Sequence, residues 1–220
     1  VTAPDHSYTW PTELSDGDEL YWRVKAIDVD GTEGSWSPIA MVTKRPYEVG
    51  DTGPAGGLIF YDDEADGSDD IPGARYLEAA PASTEWALEE WGAVSTLEDI
   101  NGDDATAPPE LDAVGAGQAN TTAIVGALGD NGGTAYAAKL ADELDHAGYS
   151  DWFLPSKDEL DLIYQNLHDQ GLGGFDTSTY WSSSEERYRD AWRQDFGSGS
   201  STSGEKDESQ RVRAVRAFGN

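Results

Sequence analysis

Residues 148–167, GYSDWFLPSKDELDLIYQNL, limit what the chain can fold into more than any other stretch. Trp152, Phe153 and Leu154 form a short apolar run of strand character. Pro155 ends it, because proline has no N–H to give to a ladder. Ser156 followed three residues later by Glu159 is the pattern of a capping box, so a helix starts there. Leu160, Ile163, Tyr164 and Leu167 then recur at helical spacing and define one buried face. A strand, a stop and a helix start sit side by side, which is the grammar of a scaffold; function is to be sought in what it carries.

Charge narrows the partners. The chain has 220 residues, with 43 acidic and 14 basic side chains and a formal net charge of −29. Such a field repels nucleic acid and anionic lipid, and it favours divalent cations and basic partners. A salty medium screens the self-repulsion and a calcium-rich one neutralises acidic clusters, so the expected setting is extracellular or on the cell surface of a marine or salt-tolerant microbe. The absence of Cys removes disulfides, thiolate catalysis and Cys-based zinc sites together. No apolar run is long enough to span a bilayer and no signal peptide opens the chain, so the expectation is a piece of a longer multidomain protein without membrane insertion.

Two regions follow from the turn signals. Residues 1–45 are all-β in character, with SYTW, ELYWRVKAIDVDG and SWSPIAMVTK joined by SDGD and DGTEG turns. KRPYEVGDTGPAGG, residues 44–57, is a turn-rich entry to the remainder. It lacks the Gly-Lys-Ser/Thr of a phosphate loop, and its Gly does not recur at every third position as collagen requires. Within residues 46–220 come strands GLIFYDD and RYLEAAP, then a long middle with few strand signals. The helix TAYAAKLADELDHAG, ended by Gly148, precedes the helix opened by Ser156, and strands TYWSSSEE, DAWRQDFGSG and RVRAVRAF close the chain. This is an α+β domain with two main helices, whose first and last strands are expected to pair.

Two resemblances attach to these words. LSDGDELYWRVKAIDVDG and GSWSP resemble the last strands of a fibronectin type III-like module, with Leu20 standing where many such modules carry a corner Tyr. Residues 47–218 resemble the bacterial Lcl C-terminal domain family through VGDTGPAGGLIFYDD, RYLEAAP, GAGQANTTAIV, AAKLADEL, GYSDWFLPSKDEL, YWSSSE and VRAVRAF, in that order. That resemblance implies a C-type-lectin-like fold and a surface-displayed adhesion module, with specificity carried in loops. The acidic segments 62–70 and 98–112 are enlarged relative to the family, and there is no collagen tract.

Three constellations could carry chemistry. DINGDD, residues 99–104, alternates Asp99, Asn101 and Asp103, with Glu110 at the twelfth position of a calcium loop. Asp104 stands where a helix-loop-helix site needs Gly, and Pro108 and Pro109 lie inside, so a single lectin-type calcium site is expected, with Asp99, Asn101, Asp103, Asp104 and Glu110 as candidate ligands. Asp62, Glu64, Asp66 and Asp70 form a second acidic cluster, for which a solvated surface is the plain alternative. The third lies in residues 179–211, where Tyr180, Glu185, Glu186, Arg187, Tyr188, Arg189, Trp192 and Gln194 mix flat stacking surfaces with polar groups able to hold a peptide, a protein or a glycan. Trp181 and Trp192 could instead alternate into the core.

Catalysis has little support in the sequence. His6, His146 and His168 lie far apart, the last two at helix ends, and Ser182–Ser184 have no base at a suggestive spacing. The expectation is therefore a calcium-dependent binding module and not an enzyme. A hypervariable display protein and an enzyme on the same scaffold are the alternatives.

Overall fold

A computed structural model describes residues 19–43, 46–66, 70–71, 73–92 and 111–219. The chain divides into two compact units, residues 1–47 and 48–220. In the first, β1 (Glu19–Trp22) pairs antiparallel with β4 (Ala40–Thr43), and β2 (Lys25–Ile27) pairs with β3 (Glu33–Trp36). The run read as one strand from residue 19 onward is thus two. The break has a local cause: Val24 N–H donates to Ser37 Oγ at 3.0 Å and Ser37 N–H donates to Val24 O at 2.7 Å, in place of a continuous ladder. Between β2 and β3, Asp28 Oδ1 accepts from the N–H groups of Asp30 and Thr32, and Gly31 supplies a φ of 82°. This is the side-chain-closed turn that the DVDG pattern favours. The SYTW segment lies outside the described residues.

Among the described residues the second unit has two sheets. A three-stranded sheet has the order β12–β6–β5, with β5 Leu58–Asp62, β6 Tyr76–Ala79 and β12 Val215–Phe218. The last strand therefore pairs with the unit's second strand, in the register Val215 to Ala79, and not with its first. A five-stranded sheet has the order β10–β9–β8–β11–β7, with β7 Trp86–Glu90, β8 Thr179–Arg187, β9 Asp190–Asp195, β10 Ser200–Glu205 and β11 Ser209–Val212. Helices α1 (Asp63–Asp66), α2 (Gly117–Leu128), α3 (Ala137–Asp142) and α4 (Lys157–Ile163) complete the unit, α4 running on into a π turn at Tyr164–His168. The fold is mixed α and β.

The helices depart from the expectation in two places. The helix read across TAYAAKLADELDHAG spans only Ala137–Asp142. Beyond it His146 and Tyr149 exchange both backbone hydrogen bonds at 3.0 Å around Ala147 (φ 55°) and Gly148 (φ 82°), a tight hairpin turn with two positive φ values. Gly148 thus serves a turn and not a helix stop. Helix α2 falls in the long middle segment, where few strand signals and no helix were read, since its Thr121, Thr122, Ile124 and Val125 are β-branched and weak helix formers. Packing holds it instead. Thr121 Oγ1 donates to Gly117 O at 2.8 Å and accepts from Leu154 N–H at 3.0 Å. A Cβ on Gly117 would lie 2.3 Å from Glu159 Oε2, so only glycine fits there.

Residues 152–154 explain why the opening stretch is so constrained. They run extended, so successive side chains point to opposite sides. Trp152 and Leu154 enter one core with Trp91, Ile124, Tyr136, Ala137 and Trp181. Phe153 enters the other with Phe60, Leu77, Leu160, Ile163 and Val215. Phe153 and Val215 exchange backbone bonds at 2.8 and 2.9 Å, tying the segment to β12. The capping box is present in full: Glu159 N–H donates to Ser156 Oγ at 3.2 Å, and Ser156 N–H donates to Glu159 Oε2 at 2.8 Å. Glu159 does more than cap. Its fully buried carboxylate also accepts from Gly115 N–H at 2.9 Å, fastening residues 111–117 to α4. Burial pushes this carboxyl up to about 7 against the opposing pull of its backbone N–H donors.

The glycine-rich entry loop is also a framework element. Gly57 and Ala55 N–H groups donate to Glu78 Oε1 at 2.8 and 3.1 Å inside the domain. A Cβ on Gly57 would sit 2.0 Å from Ala79 O, and one on Gly53 would sit 2.5 Å from the Glu78 carboxyl carbon. The loop is therefore a nest of amides around an internal anion. Arg216 reaches Glu78 at 3.4 Å and forks onto Asp151 at 2.9 and 2.8 Å. The words GDTGPAGG, YLEA, YSDW and RAVR thus meet in one network, buried at Glu78 and Arg216 and reaching the surface at Asp151.

Candidate binding surface

The β8–β9 hairpin presents the surface best suited to a ligand. Its two strands pair from Thr179–Asp195 up to Arg187–Asp190, leaving Tyr188 and Arg189 as the turn. Tyr188 is 49% exposed, and Arg187 and Arg189 are exposed beside it. Arg187 is engaged by Glu186 and by Asp190, the latter at 3.1 Å. Among the described residues of the second unit Arg189 is the only basic side chain without a carboxylate partner. An aromatic ring and an unspent guanidinium therefore stand together at the tip of a chain that is otherwise strongly acidic.

The tip is held from below. Lys206 is buried and ion-paired to buried Glu185. Its ammonium also donates to Tyr188 O at 3.2 Å and lies 4.6 Å from the centre of the Trp91 ring, while its backbone N–H donates to Arg189 O at 2.9 Å. Two consecutive turn carbonyls are thus tied to one side chain's residue in the sheet core. A turn so held loses little further freedom when it binds, which is the condition for a pre-organised contact. Lys206 was not singled out in the sequence, and nothing local marks it: GEKDE reads as a charged turn, and the importance of its lysine arises only from what the fold places around it.

The other sequence candidates separate from the tip. Tyr180, Glu185 and Gln194 are buried, so they support the surface and are not part of it. Tyr180 OH donates to Glu85 Oε2 at 3.0 Å and accepts from Asp176 N–H at 2.8 Å, and burial raises its phenol's pKa. Gln194 Nε2 donates to Asp161 Oδ1 at 2.7 Å. These positions were read as a binding face from their mixture of rings and polar groups, but successive residues of β8 enter two different cores, so Tyr180–Glu185 are buried without a break. Trp192 is half-buried, with the Lys157 ammonium 4.4 Å from its ring centre. Trp181 is fully buried, as the core alternative had it. Glu186, Arg187, Tyr188 and Arg189 are brought together.

The remaining features fall into the framework or outside the description. Ser182, Ser183 and Ser184 are buried, with Ser182 Oγ donating to Trp192 O at 2.8 Å and Ser184 Oγ to Leu111 O at 3.0 Å. His168 packs on Phe196 at 5.1 Å and Tyr164 at 5.6 Å between ring centres. Asp99, Asn101, Asp103, Asp104 and Glu110 lie outside the described residues, as does His6. In the second acidic cluster, Arg75 pairs with Asp62 at 3.0 Å and with Glu64 at 2.8 Å, and Asp63 Oδ1 accepts from Asp70 N–H at 2.8 Å. Asp62 and Glu64 are thus engaged by Arg75 and Asp70 by the loop closure, while the side chain of Asp66 lies outside the described residues. Among the described residues no group of three or more His, Asp or Glu could hold a metal ion, and no helix is long and apolar enough to cross a membrane.

Comparison with known proteins bears on this surface. The Lcl C-terminal domain family profile matches residues 83–216, more than half of the chain and the whole of the hairpin. No curated protein matches the chain. Among solved structures, a fimbrial protein from Bacteroides ovatus ATCC 8483 is similar with a TM-score of 0.50 at 12% identity, covering 95% of this chain and 66% of that one. The chain thus spans just under two thirds of that protein's length, and at this identity the likeness concerns fold alone.

Proposed function

The chain belongs to the Lcl C-terminal domain family, and from that membership we propose that it is an extracellular, surface-displayed adhesion module of a bacterium, C-type-lectin-like in fold, that binds a peptide, protein or glycan through the β8–β9 hairpin tip. The observation that carries the reading is the exposed Tyr188–Arg189 turn on its buried Lys206–Glu185 support. Exposed aromatic and arginine side chains on a rigid base are where binding energy concentrates. The fimbrial likeness is in keeping with display at a surface, and residues 1–45 are read as the end of a fibronectin type III-like module preceding the binding domain.

Calcium belongs to the proposal through the 99–110 loop, whose carboxylate spacing suits a hard cation. A cation binding only the folded state raises stability with its concentration, so melting should rise with calcium and fall with chelator at constant sodium. An unchanged Tm across millimolar calcium removes calcium from the function. The binding surface is tested separately, on an array of peptides and glycans with and without chelator. Tyr188→Ala with Arg189→Ala should lose capture while Tm stays nearly unchanged, since exposed substitutions cost under about 0.5 kcal/mol. Capture that survives the double variant overturns the hairpin as the contact surface, and turnover of an arrayed compound would replace the binding reading with an enzymatic one.

A further inference from the structure

A second candidate site lies at the opposite end of β8 from the hairpin tip, where β11 enters between β7 and β8. The parallel partnership of β11 with β8 is confined to Arg211 and Tyr180. Before that pair, Ser178 and Thr179 on one side and Ala87 and Leu88 of β7 on the other border a groove of about 460 Å³, with Ser209 and Gln210 between them. A volume of this size is in the range of small-molecule sites.

The chemistry of the groove differs from that of the rest of the protein. Among the described residues Arg211 is its one charged lining residue, and that guanidinium is spent on Glu85 at 2.6 Å and Asp176 at 3.0 Å. An anionic ligand would find no free cation there. Among the described residues the hydroxyls of Thr179 and Ser209 have no protein partner, and Gln210 uses its amide nitrogen on Glu208 at 3.3 Å, leaving the amide oxygen open. Uncharged donors and acceptors therefore stand beside the apolar surface of Ala87 and of Leu88, which is 72% exposed. Many hydroxyls that both donate and accept, together with a C–H face and no charge, describe a sugar ring.

We propose that the groove formed by Leu88, Thr179, Ser209 and Gln210 is a binding site for a neutral saccharide unit, distinct from the hairpin tip. The test is an NMR titration of the full, isotope-labelled chain with glucose, galactose, mannose, N-acetylglucosamine and maltose, followed on wild type, Ser209→Trp and Tyr188→Ala. Saturable shifts centred on residues 87–88, 178–179 and 209–211 with at least one sugar are expected. Ser209→Trp, an exposed strand position that accepts an aromatic residue, should weaken that binding about tenfold or more at unchanged Tm, and Tyr188→Ala should leave it intact. If Ser209→Trp unfolds the chain, Thr179→Val, which removes one hydroxyl at constant shape, takes its place. No saturable shift with any of these sugars, shifts centred on the hairpin, or binding unaffected by filling the groove each overturns the proposal. Loss in Tyr188→Ala alone would assign the sugar to the hairpin instead, which leaves the proposed function standing and removes the second site.

Discussion

Replacing Glu159 with Gln should change how stability depends on pH, because the wild-type side chain is a fully buried carboxyl. Its pKa in the fold is about 7, against 4.5 for an unperturbed glutamate, with burial the largest cause. The folded state therefore binds a proton that the unfolded state has released between these values. Where the native state holds more protons, stability falls as pH rises. The full cost above pH 7 is about 3 kcal/mol, most of which develops between pH 5 and 8. Gln imitates the neutral acid and carries no such term. Its amide still accepts one backbone N–H but turns its own donors toward another, so a nearly pH-independent cost of about 1–3 kcal/mol comes with the exchange. The assay is urea unfolding of both proteins at fixed high salt from pH 5 to 8, read by the fluorescence of the buried Trp91, Trp152 and Trp181. The two midpoints should converge or cross as pH rises, their difference changing by roughly 1–2 M urea for slopes of about 1–3 kcal/mol/M. The remaining carboxylates are common to both chains and cancel. A difference that stays flat, or one that widens in favour of the wild type as pH rises, would refute the reasoning, because the N–H donors around the carboxylate would then outweigh its burial.

Other expectations rest on independent contacts. Gly57→Ala should cost about 3 kcal/mol or more, since its Cβ would stand 2.0 Å from Ala79 O, while Gly126→Ala, with open space at its Cβ inside α2, should stabilise by about 0.5–1 kcal/mol; chemical denaturation of both distinguishes a steric requirement from a tolerated helix glycine. Arg216→Ala should cost about 3 kcal/mol by leaving Glu78 buried without its cation, whereas Asp151→Ala, at the exposed end of the same network, should cost under about 1 kcal/mol, and equal losses by thermal melting would contradict the assigned burial. With 43 acidic side chains, the unfolding midpoint in calcium-free buffer should rise with sodium chloride; identical midpoints at low and high salt would show that like-charge repulsion is not limiting.

Local chemistry alone determined the elements whose signals are short-range. Pro155, Ser156 and Glu159 specify a stop and a capped helix within a few residues, and the capped helix is present in full, since a capping box needs only the first turn that it closes, whereas the strand read at Trp152–Leu154 is an extended run with a single bridge from Phe153 to Val215. The mixed α and β class, the family and the placing of Trp181 inside could be read in the same way, from ordered motifs and from apolar residues in a strand. Tertiary structure decided the rest. Helix α2, built on β-branched residues, exists because Thr121 and Gly117 pack against Leu154 and Glu159, contacts more than thirty residues away along the chain. The burial of Tyr180, Glu185 and Gln194 depends on what covers both faces of their sheet, which alternation within one strand cannot report. The glycines of the entry loop look like a linker until Glu78 of a neighbouring strand is placed among their amides. The hairpin tip is tied down by Lys206, whose carboxylate and carbonyl partners come from the β8–β9 hairpin and whose aromatic partner, Trp91, follows β7 far away along the chain. Capping and turn chemistry are settled between near neighbours, whereas burial and the pairing of buried charges depend on which distant segments the fold brings together.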